Sequence, residues 1–249
     1  MVNNSHFENP VVYGLWSDAT GTHAQLEAPN GFQLCKSLNL VNDIVVANSV
    51  FENGGESVIA FNAKNIQIMN NVFRNNKSNT LPFNDSGGQI DLTVCTDDAA
   101  VFRNTFRDSS VGPNGLRGDG IELHGTNLTI VDNLITNNSG CGVSMSGGVQ
   151  DVFVANWDPS SGMIDNQEAG ICLYHPSGFR PDDSIIIDRV NSVRNAYWGI
   201  WTDTADLLIN HVTITNSCLK SNAYGPTYLH GLGSDAVIEN NSVSGCGPN

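Results

Sequence analysis

Two carboxyl groups open the chemical reading. Asp91 stands in Gln89-Ile-Asp-Leu-Thr93 and Glu122 in Gly120-Ile-Glu-Leu-His124, two segments of one pattern. Paired as neighbouring strands, they bring their acids to roughly 5 Å at the backbone. Like charges that close force one pKa upward, leaving one proton donor and one carboxylate. A retaining glycosidase is built this way, with carboxyls about 5–5.5 Å apart. His124 shares the strand of Glu122 and could orient or share its proton, while Tyr174 could act as a Brønsted base. Trp201 offers an aromatic face to a sugar ring, with His175 and Asp203 on the ground between. Arg117 and Arg180, in loops, could hold a carboxylate or a hydroxyl group. The plainer alternative is that all of these form the polar outer face of a soluble repeat protein, with solvated arginines.

Repeats must position them. The octet Ile44-Val-Val-Ala-Asn-Ser-Val-Phe51 returns at Ile66–Phe73, Ala99–Phe106, Leu128–Ile135, Ile186–Val193, Leu207–Ile214 and Ala236–Val243, at intervals of 21 to 33 residues apart from one of 58. Its apolar residues alternate with the two-residue period of a strand, and the intervals leave no room for helices. The sixth octet position holds Asn71, Asn104, Asn133, Asn191 and Asn241. An internal Asn there is expected to take the left-handed conformation of a turn and to bond the same amide one coil away. A second strand follows most octets, as in Gly142–Ser146, Gly170–Tyr174 and Gly199–Asp203, with an earlier copy at Gly14–Asp18. Its outward residues form two columns. One runs Trp16, Ile59, Asp91, Glu122, Ser144, Cys172, Trp201, and the other Asp18, Phe61, Thr93, His124, Ser146, Tyr174, Asp203. Both are expected to line an open groove, walled by insertions at 75–88, 108–119 and 176–183.

With Asn-Ile-x-Ile-x-Asn-Asn-x-Phe-type repeats over nearly its whole length, the chain resembles the pectate lyase-like superfamily. That resemblance implies an all-β fold, a single-stranded right-handed parallel β-helix (solenoid) of about nine coils, as one domain over residues 1–249 that could lack an N-terminal cap. Its members include polysaccharide lyases, glycoside hydrolases, uronan epimerases, tailspike depolymerases and adhesins, so the fold does not name an activity. The Asn-Thr-Asp, Gly-His-Gly and Arg-Ile-Lys motifs of polygalacturonase-like hydrolases are missing, as is the Asp-Pro-His of alginate epimerases. No catalytic residue carries over from those families.

Composition narrows the partners. Against 25 Asp+Glu there are 11 Lys+Arg, a net charge of -14. That charge disfavours nucleic acid, membrane surfaces and polyanionic glycans, and leaves a neutral polysaccharide or a small-molecule substrate. The six cysteines form no Cys-x-x-Cys pair, which argues against zinc. Cys218 and Cys246 fall in corresponding turns and could pair, although small buried thiols are the simpler expectation. The start, Met1-Val-Asn-Asn-Ser-His6, lacks the pattern of a signal peptide while Asn3–Phe7 reads as mid-repeat, and a secreted or extracellular location is favoured. A hydrolase acting on a polysaccharide needs no cofactor and no metal. A lyase, the close competitor, would need Ca²⁺ on groups such as Asp91 and Glu122 to neutralise a uronate. A non-catalytic glycan-binding, adhesin or spike module is the alternative from another class, with a partner chain or homo-oligomer covering the helix end. A small-molecule isomerase or cyclase on an apolar substrate is the third.

Overall fold

The computed structural model describes residues 1–8, 15–17, 41–54, 58–60, 63–77, 88–92, 96–112, 115, 117–145, 149–174, 184–203 and 209–246. Every strand pairing among these is parallel and joins a coil to the next, giving sheets of nine, seven and eight strands. The chain is a right-handed parallel β-helix, and the nine strands of the first sheet count its coils.

A full coil carries three strands where the sequence suggests two, because the octet bends in its middle. In the coil of Phe73, strand Ala63–Met69 ends at Asn70, whose φ is +55°, and strand Val72–Arg74 continues in the second sheet. The same bend falls at Asn48, Arg103 and Asp132. The left-handed residue therefore precedes the internal Asn and is not that Asn itself, as the sequence had implied. Asn and Asp accept this conformation most readily among non-glycine residues.

The internal amides form the expected ladder. Asn104 Oδ1 accepts from Asn71 N at 2.9 Å and from Asn71 Nδ2 at 3.0 Å, and Asn133 Oδ1 accepts in the same way from Asn104. Each amide sends its other hydrogen back one coil, as from Asn71 to Val46 O. A second ladder stands at the next corner, where Asn138, Asn166, Asn195 and Asn222 repeat the arrangement and Gln89 bridges Asn76 to Asn138.

Inside lie the columns Val46, Ile68, Val101, Ile130, Val154, Ile187, Ile214 and Ile90, Ile121, Val143, Ile171, Ile200, all fully buried. Phe51, Phe73 and Phe106 stack with ring centroids 4.9 and 4.7 Å apart. Each such side chain adds roughly 1.5–3 kcal/mol of burial. Two octets lie out of the expected frame. Ile185 pairs with Val212, so the internal positions of that coil are Ile185, Ile187 and Val190. Ile186 then faces out at 37% exposure, and half-buried Asn191 donates to Ser161 O instead of joining the ladder. The next coil begins at Val212 and not at Leu207. A further copy, strand Gln150–Ala155, pairs with Thr126–Val131 but is followed by an insertion before strand Gly162–Ile164.

Candidate functional site

The third sheet aligns its outer column as expected. Asp91 pairs with Glu122, Glu122 with Ser144, Ser144 with Cys172, and Cys172 with Trp201. The column ends at Tyr228. Coils rise about 4.8 Å, so the two acids stand near that distance at the backbone.

The groove over them is not open. Asp91 is 1% exposed, Glu122 2% and Ser144 1%, and His124 is buried beside them. His124 Nε2 lies 3.1 Å from Glu122 Oε1. These groups lie outside the apolar core, on the outer side of strands whose Ile and Leu residues face in.

A third acid joins the cluster. Asp119 begins strand Asp119–Leu123 and is buried at 4% exposure. Its Oδ1 accepts from Cys141 N at 2.6 Å and fills the space that a Cβ on Gly140 would need. Burial raises the pKa of Asp119 well above the usual carboxylate range, and the neighbouring charge of Glu122 pushes the same way. The Cys141 amide and the Ser144 hydroxyl pull against that shift without reversing it. Asp119 is not among the residues that the sequence singles out, although Asp-Gly-Ile-Glu places it three residues from Glu122.

Cys172 is a correction. It forms a disulfide with Cys141, and Cys218 does so with Cys246, so none of the four is a buried thiol. Trp198 and Trp201 pack against the first disulfide with Ala169. Cys141, Glu168 and Cys172 have the spacing of a metal-binding trio, but both sulfurs are committed to each other.

Arg117 pairs with Glu168 at 2.5 Å and sits 5.9 Å over the ring of Tyr197, so it is a tethered cation. Trp201 is half-buried, and exposed Asp203 lies 3.5 Å from His230 Nδ1. Tyr174 aligns with Asp203 through its backbone, its side chain lying outside the described part. His175, Arg180, Asp18, Phe61, Thr93, Cys35, Cys95 and Ser146 also lie outside the described residues. A shallow depression of about 710 Å³ is found elsewhere, on the outer face of the first sheet along Asp98, Thr129, Phe153 and Ile186. It contains none of the buried acids.

A family model for the right handed beta helix region matches residues 30–158. The chain belongs to the right-handed β-helix family. Among solved structures this β-helix is similar to variants of the periplasmic alginate epimerase AlgG. One has 14% identity and a TM-score of 0.61 over 97% of this chain and 50% of that one. Another has 15% identity and a TM-score of 0.56 over 82% and 46%. The β-helix therefore spans about half the length of these structures, and at such identity the likeness is one of fold. No curated protein matches the sequence.

Proposed function

We propose that this β-helix is a carbohydrate-active enzyme that cleaves the glycosidic bonds of a polysaccharide lying over its third sheet, by hydrolysis in preference to elimination. One observation carries the reading: three carboxyl groups and a histidine are gathered outside the apolar core yet buried. Burying acids together is costly and is a recurring property of catalytic sites. Glu122, oriented by His124, protonates the glycosidic oxygen. Asp91 attacks the anomeric carbon as that bond breaks, and water then releases the sugar as Glu122 takes back a proton.

Hydrolysis is favoured over elimination because a lyase must neutralise a uronate. Arg117 is already engaged by Glu168, and the net charge is -14. The alginate epimerase likeness supports a polysaccharide as substrate, and the charge favours a neutral one. Two disulfides support an extracellular or periplasmic location, because such bonds persist in oxidising compartments. A glycan-binding module without catalysis is the second reading, favoured by the exposed rings of Tyr224 and Tyr228 at the last strand of the third sheet.

A panel of neutral and acidic polysaccharides, assayed for reducing ends and for absorbance at 235 nm with Ca²⁺ or EDTA, separates these readings. New reducing ends without absorbance, surviving EDTA and lost in Glu122→Gln, are expected. Absorbance that depends on Ca²⁺ would replace hydrolysis with elimination, and no product from any polymer would leave the binding module.

A further inference from the structure

Beyond Trp201, the last coils of the third sheet carry an aromatic surface. Tyr224 is 64% exposed and Tyr228 41%. The ring of half-buried Trp198 lies between them, 6.1 Å from Tyr224 and 5.6 Å from Tyr228 by centroids. His230 continues the strip at 6.4 Å from Tyr228, and Tyr197 meets Tyr224 edge-on at 5.2 Å.

The strip is built by the backbone. Strand Gly225–His230 alternates half-buried and exposed residues, so Pro226, Tyr228 and His230 all face out. Gly225 has φ +141°, and a Cβ there would lie 2.7 Å from Trp198 Cζ3. The glycine both supplies that backbone conformation and makes room for the indole. Leaving tyrosines on a surface forgoes their burial, and contiguous exposed rings of this kind mark binding sites.

We propose that Tyr224, Trp198, Tyr228 and His230 form a stacking subsite for a neutral glycan chain, with the rings set out along strand Gly225–His230, across the helix axis. Flat rings flanked by the hydrogen-bonding groups of Asp203 and His230 suit the apolar faces and equatorial hydroxyls of sugars. Strands Trp198–Asp203 and Gly225–His230 contain no Lys or Arg, and exposed Asp203 repels an anionic chain. From Glu122 the column runs through Ser144, Cys172 and Trp201 to Tyr228, four coil steps or about 19 Å. A coil step is comparable to the length of one sugar unit, so Tyr228, where the strip crosses this column, lies some four units from the acids. The choice of a glycan rests on the polysaccharide reading above, but the subsite does not depend on catalysis.

The test is affinity electrophoresis of the full chain in gels containing galactomannan, arabinoxylan or mixed-linkage β-glucan, with polygalacturonate as the anionic comparison. Retardation by at least one neutral polymer is expected. The Tyr224→Ala/Tyr228→Ala double variant should lose affinity about tenfold while melting within a few degrees of wild type, and Tyr224→Phe/Tyr228→Phe should keep it. The proposal is overturned if no neutral polymer retards the protein, if only polygalacturonate does, or if the folded Ala variant binds as wild type does. Binding through the strip without bond cleavage would sink the catalytic reading and leave the subsite standing. Cleavage with binding unchanged in the Ala variant would do the reverse.

Discussion

Replacing Asn104 by Ala tests the account of what holds the coils in register. The Asn104 side chain accepts from Asn71 N and Asn71 Nδ2 at 2.9 and 3.0 Å, and donates to Ile68 O at 2.8 Å and to Asn133 Oδ1 at 3.0 Å. Truncation takes this partner from two buried donors of Asn71 and from the acceptor Ile68 O, all on the preceding coil, while Asn133 Oδ1 keeps the Asn104 backbone amide. Each costs about 1–3 kcal/mol when orphaned, so the loss should reach about 3 kcal/mol or more. Domain stabilities are about 5–15 kcal/mol, so this is a large share. In a chain of this size the melting temperature should fall by roughly 6–12 °C. Asn191→Ala is the internal comparison, because Asn191 lies outside the ladder with its side chain on Ser161 O, and should cost under about 1 kcal/mol. Urea unfolding followed by Trp fluorescence measures both. Equal losses in the two variants, or a loss under about 1 kcal/mol for Asn104→Ala, would refute the reasoning.

Three further outcomes are expected. Cys172→Ser opens a disulfide spanning 31 residues and should cost about 3–4 kcal/mol, with a change in fluorescence from Trp198 and Trp201; denaturant curves with and without reductant check this. Asp119 has a raised folded-state pKa, so its contribution is complete below the ordinary value of 3.8 and is lost as pH climbs through the folded value. Asp119→Asn keeps an acceptor for the Cys141 amide, and should therefore be more stable than wild type at neutral pH while the two converge near pH 3.5; urea midpoints across pH would contradict this if the gap were constant. Glu122→Gln and Asp91→Asn should each lower reducing-end release at least about 100-fold without lowering the melting temperature, and retained activity in either would remove that residue from the mechanism.

The repeat was legible wherever the octet was uninterrupted, because alternation and an Asn at a fixed place leave few alternatives. It failed where local similarity competed with register. Three isoleucines in a row, Ile185, Ile186 and Ile187, fit two frames equally well, and a slip of one residue turns every side chain to the other face. The copy at Val152 was hidden by the insertion that follows Asn156. The second amide ladder carried a signal that went unread: Asn76 follows Asn71 by five residues, as Asn138 follows Asn133. Pairing of Asp91 with Glu122 was readable from the aligned strands, but their burial was not, since alternation reports which side of a sheet a residue faces and nothing about what lies over that side. The Cys141–Cys172 disulfide joins positions that no sequence spacing singles out.

The amide ladders also have a direction. Backbone hydrogen bonds between coils point both ways, as Asn48 N donates forward to Met69 O while Val50 N donates back to Ser5 O, and such alternating dipoles nearly cancel. The bonds from one side-chain amide to the next do not alternate, although the second hydrogen of each amide goes back to a carbonyl of the preceding coil. Asn71 donates to Asn104 and Asn104 to Asn133, and at the other corner Asn138 donates to Asn166, Asn166 to Asn195 and Asn195 to Asn222. Along each ladder the amide-to-amide bonds therefore share one sense, donating toward the later coils, and each bond polarises the next. The rod's interior thus has a direction of amide-to-amide hydrogen bonding, which at the second corner runs toward the coils that bear the aromatic strip.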